Sequence, residues 1–184
     1  TNDFSFLKES NSILWASEKD GWRHLYQISL EGKPEVLITK GEYDVIDLKY
    51  IHNKEGFVYY LASPDNATQK YLYKTNLNGN GKNKLLSPAS LKGSHDYSFS
   101  SNGNYAAHTF SNHFTPYSKE FISIANHKAL TEEESILRNV KKLEKKSTTE
   151  FFSITTADNV EMDGWMVKPT NFDPNKKYPV VFYV

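Results

Sequence analysis

The sequence predicts a mainly β protein whose first part is three four-stranded blades of a β-propeller. Two repeats and one compositional bias carry that expectation. Stretches that end on a bulky residue, one or two small steps and Ser recur as Leu14-Trp15-Ala16-Ser17, Tyr60-Leu61-Ala62-Ser63 and His108-Thr109-Phe110-Ser111. Leu25-Tyr26-Gln27-Ile28 returns as Leu72-Tyr73-Lys74-Thr75, with a degenerate third copy at Glu120-Phe121-Ile122-Ser123-Ile124. Both repeats have a period of about 47 residues, the length of a four-stranded propeller blade. Aromatic residues make up 14% of the 184, including 12 Tyr and 11 Phe against nine Gly, and such residues suit a pleated, half-buried surface. A meandering β-sandwich would need the spacing to coincide by accident at both motifs.

Each element follows in order. The first blade, about 1–40, opens with Phe4-Ser5-Phe6-Leu7 and turns at Glu9-Ser10-Asn11. It runs to Ser17, bends at Asp20-Gly21, continues through Leu25–Ile28, turns at Leu30-Glu31-Gly32 and closes on Val36-Leu37-Ile38. The second blade, about 41–88, repeats the plan: Asp47–Ile51, the turn Asn53–Gly56, Tyr60–Ser63, Leu72–Thr75, the turn Asn78-Gly79-Asn80-Gly81 and Lys84-Leu85-Leu86. The third, about 89–130, has Asp96–Phe99, the turn Ser101-Asn102-Gly103, His108–Ser111, Glu120–Ile124, a turn at Ala125-Asn126-His127 and a weak Ala129-Leu130. A blade buries its faces only against other blades, so three form an arc that does not close.

Past Ala129 the period is lost. Thr131-Glu132-Glu133-Glu134 reads as a capping box opening a short helix near 132–142, within a helix-and-linker segment 131–147. Ile136, Leu137 and Val140 supply its apolar face, and Lys141, Lys142, Lys145 and Lys146 its basic end, read as a solvated terminus. A hairpin is expected next, from Glu150–Thr155 and Met162–Val167 around Asp158-Asn159. Pro174 and its polar neighbours form a loop, and Tyr178–Val184 reads as a strand buried on both faces, as in a parallel sheet covered by helices. Residues 148–184 are therefore read as the opening strands of a truncated second domain.

Composition and motifs exclude several functions. Lys plus Arg and Asp plus Glu are 22 each, so net charge is zero and no excess recruits nucleic acid. The longest apolar run, Val180–Val184, is far short of the ~20 residues that span a bilayer. Thr1 reads as a processed or trimmed start. The absence of Cys removes disulfides, thiolate metal sites and a thiol nucleophile. No G-x-S-x-G, Walker or dinucleotide-binding pattern occurs, so no cofactor is expected. The histidines, His24, His52, His95, His108, His113 and His127, show no H-x₃-H or H-E-x-x-H spacing; His108 and His113 lie five apart with no nearby carboxylate, and no metal site is assigned. His95 is expected to bond a neighbouring blade. Asn66-Ala67-Thr68 fits the glycosylation sequon but is read as a chance match.

Trp15-Ala16-Ser17-Glu18-Lys19-Asp20-Gly21-Trp22-Arg23-His24-Leu25-Tyr26 resembles the W-x-S-E-R-D-G-W-x-H-L-Y segment of the dipeptidyl peptidase IV group of prolyl-oligopeptidase-like serine peptidases. Leu37–Val45 is similar to the link that follows it there, and Gly93-Ser94-His95 to the lead-in of that group's last blade. Lys168-Pro169, Asn171-Phe172-Asp173 and Lys176–Val180 are similar to its approach to the α/β-hydrolase domain, with Asp158-Asn159 standing where Asp-Gly is common. The resemblance implies the last three of eight blades plus the first strands of that hydrolase domain. It also implies a parent that releases N-terminal dipeptides with Pro or Ala second, acts on peptides, packs on the remainder of its own chain, is periplasmic or extracellular, and can be a homodimer. The Ser-Asp-His triad would lie beyond Val184, where the oxyanion tyrosine would directly follow, so that Tyr183 is not that donor. The glutamates gripping the substrate amino terminus would precede Thr1. No catalytic or substrate-binding residue is therefore assigned, and this stretch alone is expected to be inactive. The competing expectation is a non-enzymatic binding propeller of the TolB-like kind, disfavoured by the Lys-Lys-Tyr-Pro segment.

Overall fold

The structure is a computed structural model and describes residues 4–132, 135–143 and 149–183. Three antiparallel four-stranded meanders follow one another. The first contains β1 (Phe4–Leu7), β2 (Ser12–Ser17), β3 (His24–Ser29) and β4 (Val36–Leu37). The second contains β5 (Val45–His52), β6 (Phe57–Ala62), β7 (Tyr71–Asn76) and β8 (Lys84–Leu85). The third contains β9 (Ser94–Phe99), β10 (Tyr105–Ser111), β11 (Ser118–Ser123) and β12 (Lys128–Ala129). In each, strands sit in chain order, as tight turns between successive strands require.

The alternation of side chains along a strand stacks these sheets face to face. In β6, Val58, Tyr60 and Ala62 point into a core shared with Leu7, Leu14, Leu25 and Ile38 of the first sheet. Their neighbours Tyr59 and Leu61 point the other way, with Leu72 of β7, onto Tyr97, Ala106 and Ile122 of the third. The middle blade is thus buried on both faces, and each fully buried side chain of this size is worth about 1.5–3 kcal/mol. The outer face of the first blade is left apolar and open, with Phe6 63% exposed.

Polar contacts fix the blades against one another. Arg23 Nη1 donates to the carbonyls of Val45 (2.6 Å) and Ile46 (3.1 Å), while the Arg23 amide donates to Asp44 Oδ1. Between the second and third blades, Lys49 bridges Asp47 and Asp96 at 2.8 and 2.7 Å. Burial opposes ionisation of Asp96, but the hydrogen bond and charge of Lys49 outweigh it and hold the carboxyl below its ordinary value.

Beyond the blades, α1 (Ile136–Leu143) seats Ile136 and Val140 on Leu91 and Phe110. It starts later than the capping box suggests: Glu133 and Glu134 lie outside the described residues, no acidic residue occupies its first turn, and Leu137 is exposed rather than inward. The side chains of Lys141 and Lys142, and all of Lys145 and Lys146, also lie outside the described residues. The expected hairpin forms from β13 (Thr149–Thr155) and β14 (Glu161–Val167), in full register. Its turn places Asn159 at φ 63°, a conformation Asn tolerates where Gly is usual. One expectation fails. Residues 178–183 form no strand, and Val181 and Tyr183 are 94% and 97% exposed. A strand exists by its ladder, and no described strand lies beside this run to accept one.

Candidate functional site

The first polar centre grows from the Asp20-Gly21 bend. Gly21 adopts φ 97° and donates its amide to the Glu18 carbonyl, which directs the chain into β3. His24, the first residue of β3, is fully buried, with Nε2 3.0 Å from the Gly41 carbonyl and Nδ1 3.1 Å from Thr39 Oγ1. A carbonyl only accepts, so Nε2 carries a proton, while Nδ1 shares a hydrogen bond with the Thr39 hydroxyl. That hydroxyl in turn accepts the Leu25 amide at 3.0 Å. The second blade repeats the device, Ser87 Oγ accepting the Leu72 amide at 2.8 Å.

The richer centre lies in the third blade, where sequence spacing shows no cluster. Antiparallel register sets His108 of β10 opposite Glu120 of β11, and Tyr97 of β9 on the other side of His108. His108 Nδ1 stands 2.8 Å from Glu120 Oε1, and His108 Nε2 2.9 Å from His95 Nδ1. His95 Nε2 donates to the Leu91 carbonyl at 2.8 Å. The second Glu120 oxygen accepts the Ile136 amide at 2.9 Å, which ties the start of α1 to the blade. Tyr97 Oη lies 2.9 Å from Ser87 Oγ and 2.7 Å from His127 Nε2, and His127 sits in the β11–β12 turn at φ 52°. His95, Tyr97 and His108 stack nearly parallel, with ring centroids 4.6 to 6.4 Å apart.

Burial sets the charge state of this stack. It lowers His95 to about 3 and His127 to about 4, helped in both by the neighbouring His108, so both are neutral near pH 7. The Tyr97 hydroxyl is pushed up for the same reason. A cavity of about 380 Å³ opens beside the cluster, lined by Leu91, Glu120, Asn126, His127, Ser135 and Leu137. His108, Glu120 and His127 each offer one possible ligand atom, and these atoms lie within 4.8 Å of one another.

The remaining histidines take other roles. His113 is exposed and packs edge-on against Phe151 of β13, away from His108. His52 Nδ1 accepts the Glu55 amide within a turn. The expected bond from His95 to a neighbouring blade is made by its backbone, whose amide donates to the Lys70 carbonyl, while its ring bonds within and just before the third blade. Asn66 forms an exposed turn in which Oδ1 accepts both the amide and the hydroxyl of Thr68. Sequence reading missed Glu120 and His127 because no short motif joins them to His108. The one available signal is the strand pairing, which brings positions 108 and 120 face to face.

Comparison with known proteins gives this architecture a family. The family described as "Dipeptidyl peptidase IV (DPP IV) N-terminal region" matches residues 1–117. Dipeptidyl peptidase 4 of Trichophyton equinum is 26% identical over 169 residues, covering 90% of this chain and 22% of that protein. Probable dipeptidyl-aminopeptidase B of Aspergillus oryzae is 30% identical over 172 residues, 89% of this chain and 18% of that protein. The crystal structure of Porphyromonas gingivalis dipeptidyl peptidase 4 superposes with a TM-score of 0.72 at 28% identity, over 96% of this chain and 25% of that one. A putative dipeptidyl aminopeptidase IV from Bacteroides ovatus, at 22% identity and a TM-score of 0.65, shares the fold. The chain spans about a fifth of the length of the curated relatives it matches. With more than half of its residues inside the family match, the chain belongs to the family of the dipeptidyl peptidase IV N-terminal region.

Proposed function

We propose that this chain is a stretch of propeller wall in a serine-type dipeptidyl peptidase. The supporting observation is one continuous likeness, which runs through three stacked blades and the following hairpin into dipeptidyl peptidase structures. The parent protein would cleave dipeptides from peptide N-termini, with Pro or Ala in second position, by attack of a serine on the scissile carbonyl and hydrolysis of the acyl-enzyme. The wall limits access to small or extended peptides. Residues 131–147 link it to a hydrolase domain that begins with the β13–β14 hairpin.

The reaction is assigned to residues outside this stretch. Among the described residues no Ser–His–carboxylate relay forms: His108 spends its nitrogens on Glu120 and His95, and His24 on Thr39 and a carbonyl. A relay needs a base aimed at a nucleophilic hydroxyl and oriented from its other nitrogen. The test is hydrolysis of Ala-Pro and Gly-Pro chromogenic substrates. The full-length protein should turn them over and be blocked by a serine-directed reagent, while residues 1–184 alone should not exceed a mock preparation. No turnover by the full-length protein would favour a binding propeller.

A further inference from the structure

We propose that His108, Glu120 and His127 form a binding site for a divalent transition-metal ion of the zinc class, with the fourth position open to the adjoining cavity. The argument starts from donors and acceptors. The Leu91 carbonyl can only accept, so His95 Nε2 carries a proton. His95 Nδ1 lies 2.9 Å from His108 Nε2, close enough for the two rings to share one proton. This leaves His108 Nδ1 as the ring atom turned toward Glu120. Nδ1 lies 2.8 Å from Glu120 Oε1, an ordinary hydrogen-bond distance.

In a contact that short, a positive species stands between ring nitrogen and carboxylate oxygen. A proton fills the role in the metal-free protein, shared between ring and carboxylate. A divalent ion can take the proton's place if ring and carboxylate part to about 3.3 Å, the spacing of tetrahedral ligands about 2.0 Å from zinc, with His127 as third donor. His, His and Glu make a donor set suited to zinc, and three protein ligands plus one open position is the usual form of an accessible zinc site.

The surroundings meet the further demands of a metal site. The imidazole of His108 is oriented from its far nitrogen by His95, and Glu120 from its far oxygen by the Ile136 amide, the outer contacts that fix ligand geometry. Tyr97 holds the His127 ring through Nε2 and competes with the ion for it. The cavity lined by Glu120 and His127 gives the ion a path in. Binding exchanges a proton for the ion, so one proton leaves for each ion bound.

The experiment uses the purified protein without a histidine tag, stripped with chelator and dialysed against Zn²⁺. Bound metal is counted by mass spectrometry and affinity is read by calorimetry in two buffers of different ionisation enthalpy. The expected result is one equivalent of zinc with release of about one proton per ion. Glu120→Gln and His127→Gln should each weaken binding by about 100-fold or more, the upper end of what outer-sphere changes cost. His113→Gln should leave it unchanged. Co²⁺ should give the visible absorption of a nitrogen- and oxygen-ligated site, lost in Glu120→Gln. Should a variant unfold, the proton count and cobalt spectrum of the parent sequence still decide. No binding at micromolar zinc, or binding indifferent to Glu120 and His127, overturns the proposal.

Discussion

At the level of single residues, the tyrosines of the first core show how one hydroxyl ties stability to pH. Tyr60 is completely buried and bonds the Tyr43 hydroxyl at 3.2 Å, while Asn83 donates to Tyr43 at 2.7 Å. Burial pushes Tyr60 far above the ordinary tyrosine value and Tyr73 up to about 12. Above pH 10 the unfolded chain has lost these protons and the folded chain keeps them, so stability is complete below 10 and falls as pH rises beyond it. Tyr60→Phe should cost about 1 kcal/mol at neutral pH, one hydrogen bond. It should also flatten the alkaline decline measured by urea unfolding at a series of pH values. An unchanged alkaline slope would place the titrating groups elsewhere. Sequence showed that this residue is a repeat position but not that its hydroxyl is sealed from water. Its neighbours come from Tyr43 and Asn83, which no motif links to it. The same limit hid Glu120, whose partners lie across a sheet rather than along the chain. By contrast, the hydroxyl pair Thr39 and Ser87 was legible in principle, since each follows its closing strand by the same step.

Among the elements, the turns decide how closely the blades approach. Gly79, in the β7–β8 turn, has φ 69°, and a Cβ there would lie 2.7 Å from the Leu37 carbonyl oxygen of the first blade. Lys40 Nζ donates to the Gly79 carbonyl at 3.2 Å, which locks the same turn from its other side. Gly21 has φ 97° but open space around it. Two alanine substitutions therefore separate backbone strain from crowding. Gly21→Ala should cost about 1 kcal/mol, the left-handed penalty alone. Gly79→Ala should cost about 3 kcal/mol, because the clash with backbone adds to that penalty. Equal losses in chemical unfolding would mean that the blades can part at this turn without cost. Strand existence and order were readable here because every blade carries its own turn residues and period. The helix start and the last run were not. The first depends on docking of Ile136 and Glu120, and the second on a ladder that residues 178–183 do not have.

For the whole molecule, the distribution of apolar surface sets the behaviour of residues 1–184 as a species of their own. The middle blade has both faces covered, whereas Phe4 and Phe6 project from the first blade into solvent. The β13–β14 hairpin exposes Phe151, Ile154, Trp165 and Val167, and Val181 to Tyr183 extend the apolar surface further. Contiguous patches above a few hundred Å² are uncommon on soluble monomers and mark contacts to another body. In the proposed parent that body is the next blade on one side and the hydrolase core on the other. Residues 1–184 alone should therefore self-associate at micromolar concentration, as read by sedimentation velocity. The two surfaces can be separated. Phe4→Ser with Phe6→Ser removes the blade patch, and Phe151→Ser with Trp165→Ser removes the hairpin patch; each pair should lower the association state, and all four together should give a monomer. The four positions are exposed, so their replacement should leave the unfolding midpoint nearly unchanged. A compact monomer of the unmodified stretch, with one cooperative transition, would show instead that three stacked blades are self-sufficient, and would remove the reason for assigning these faces to a larger ring.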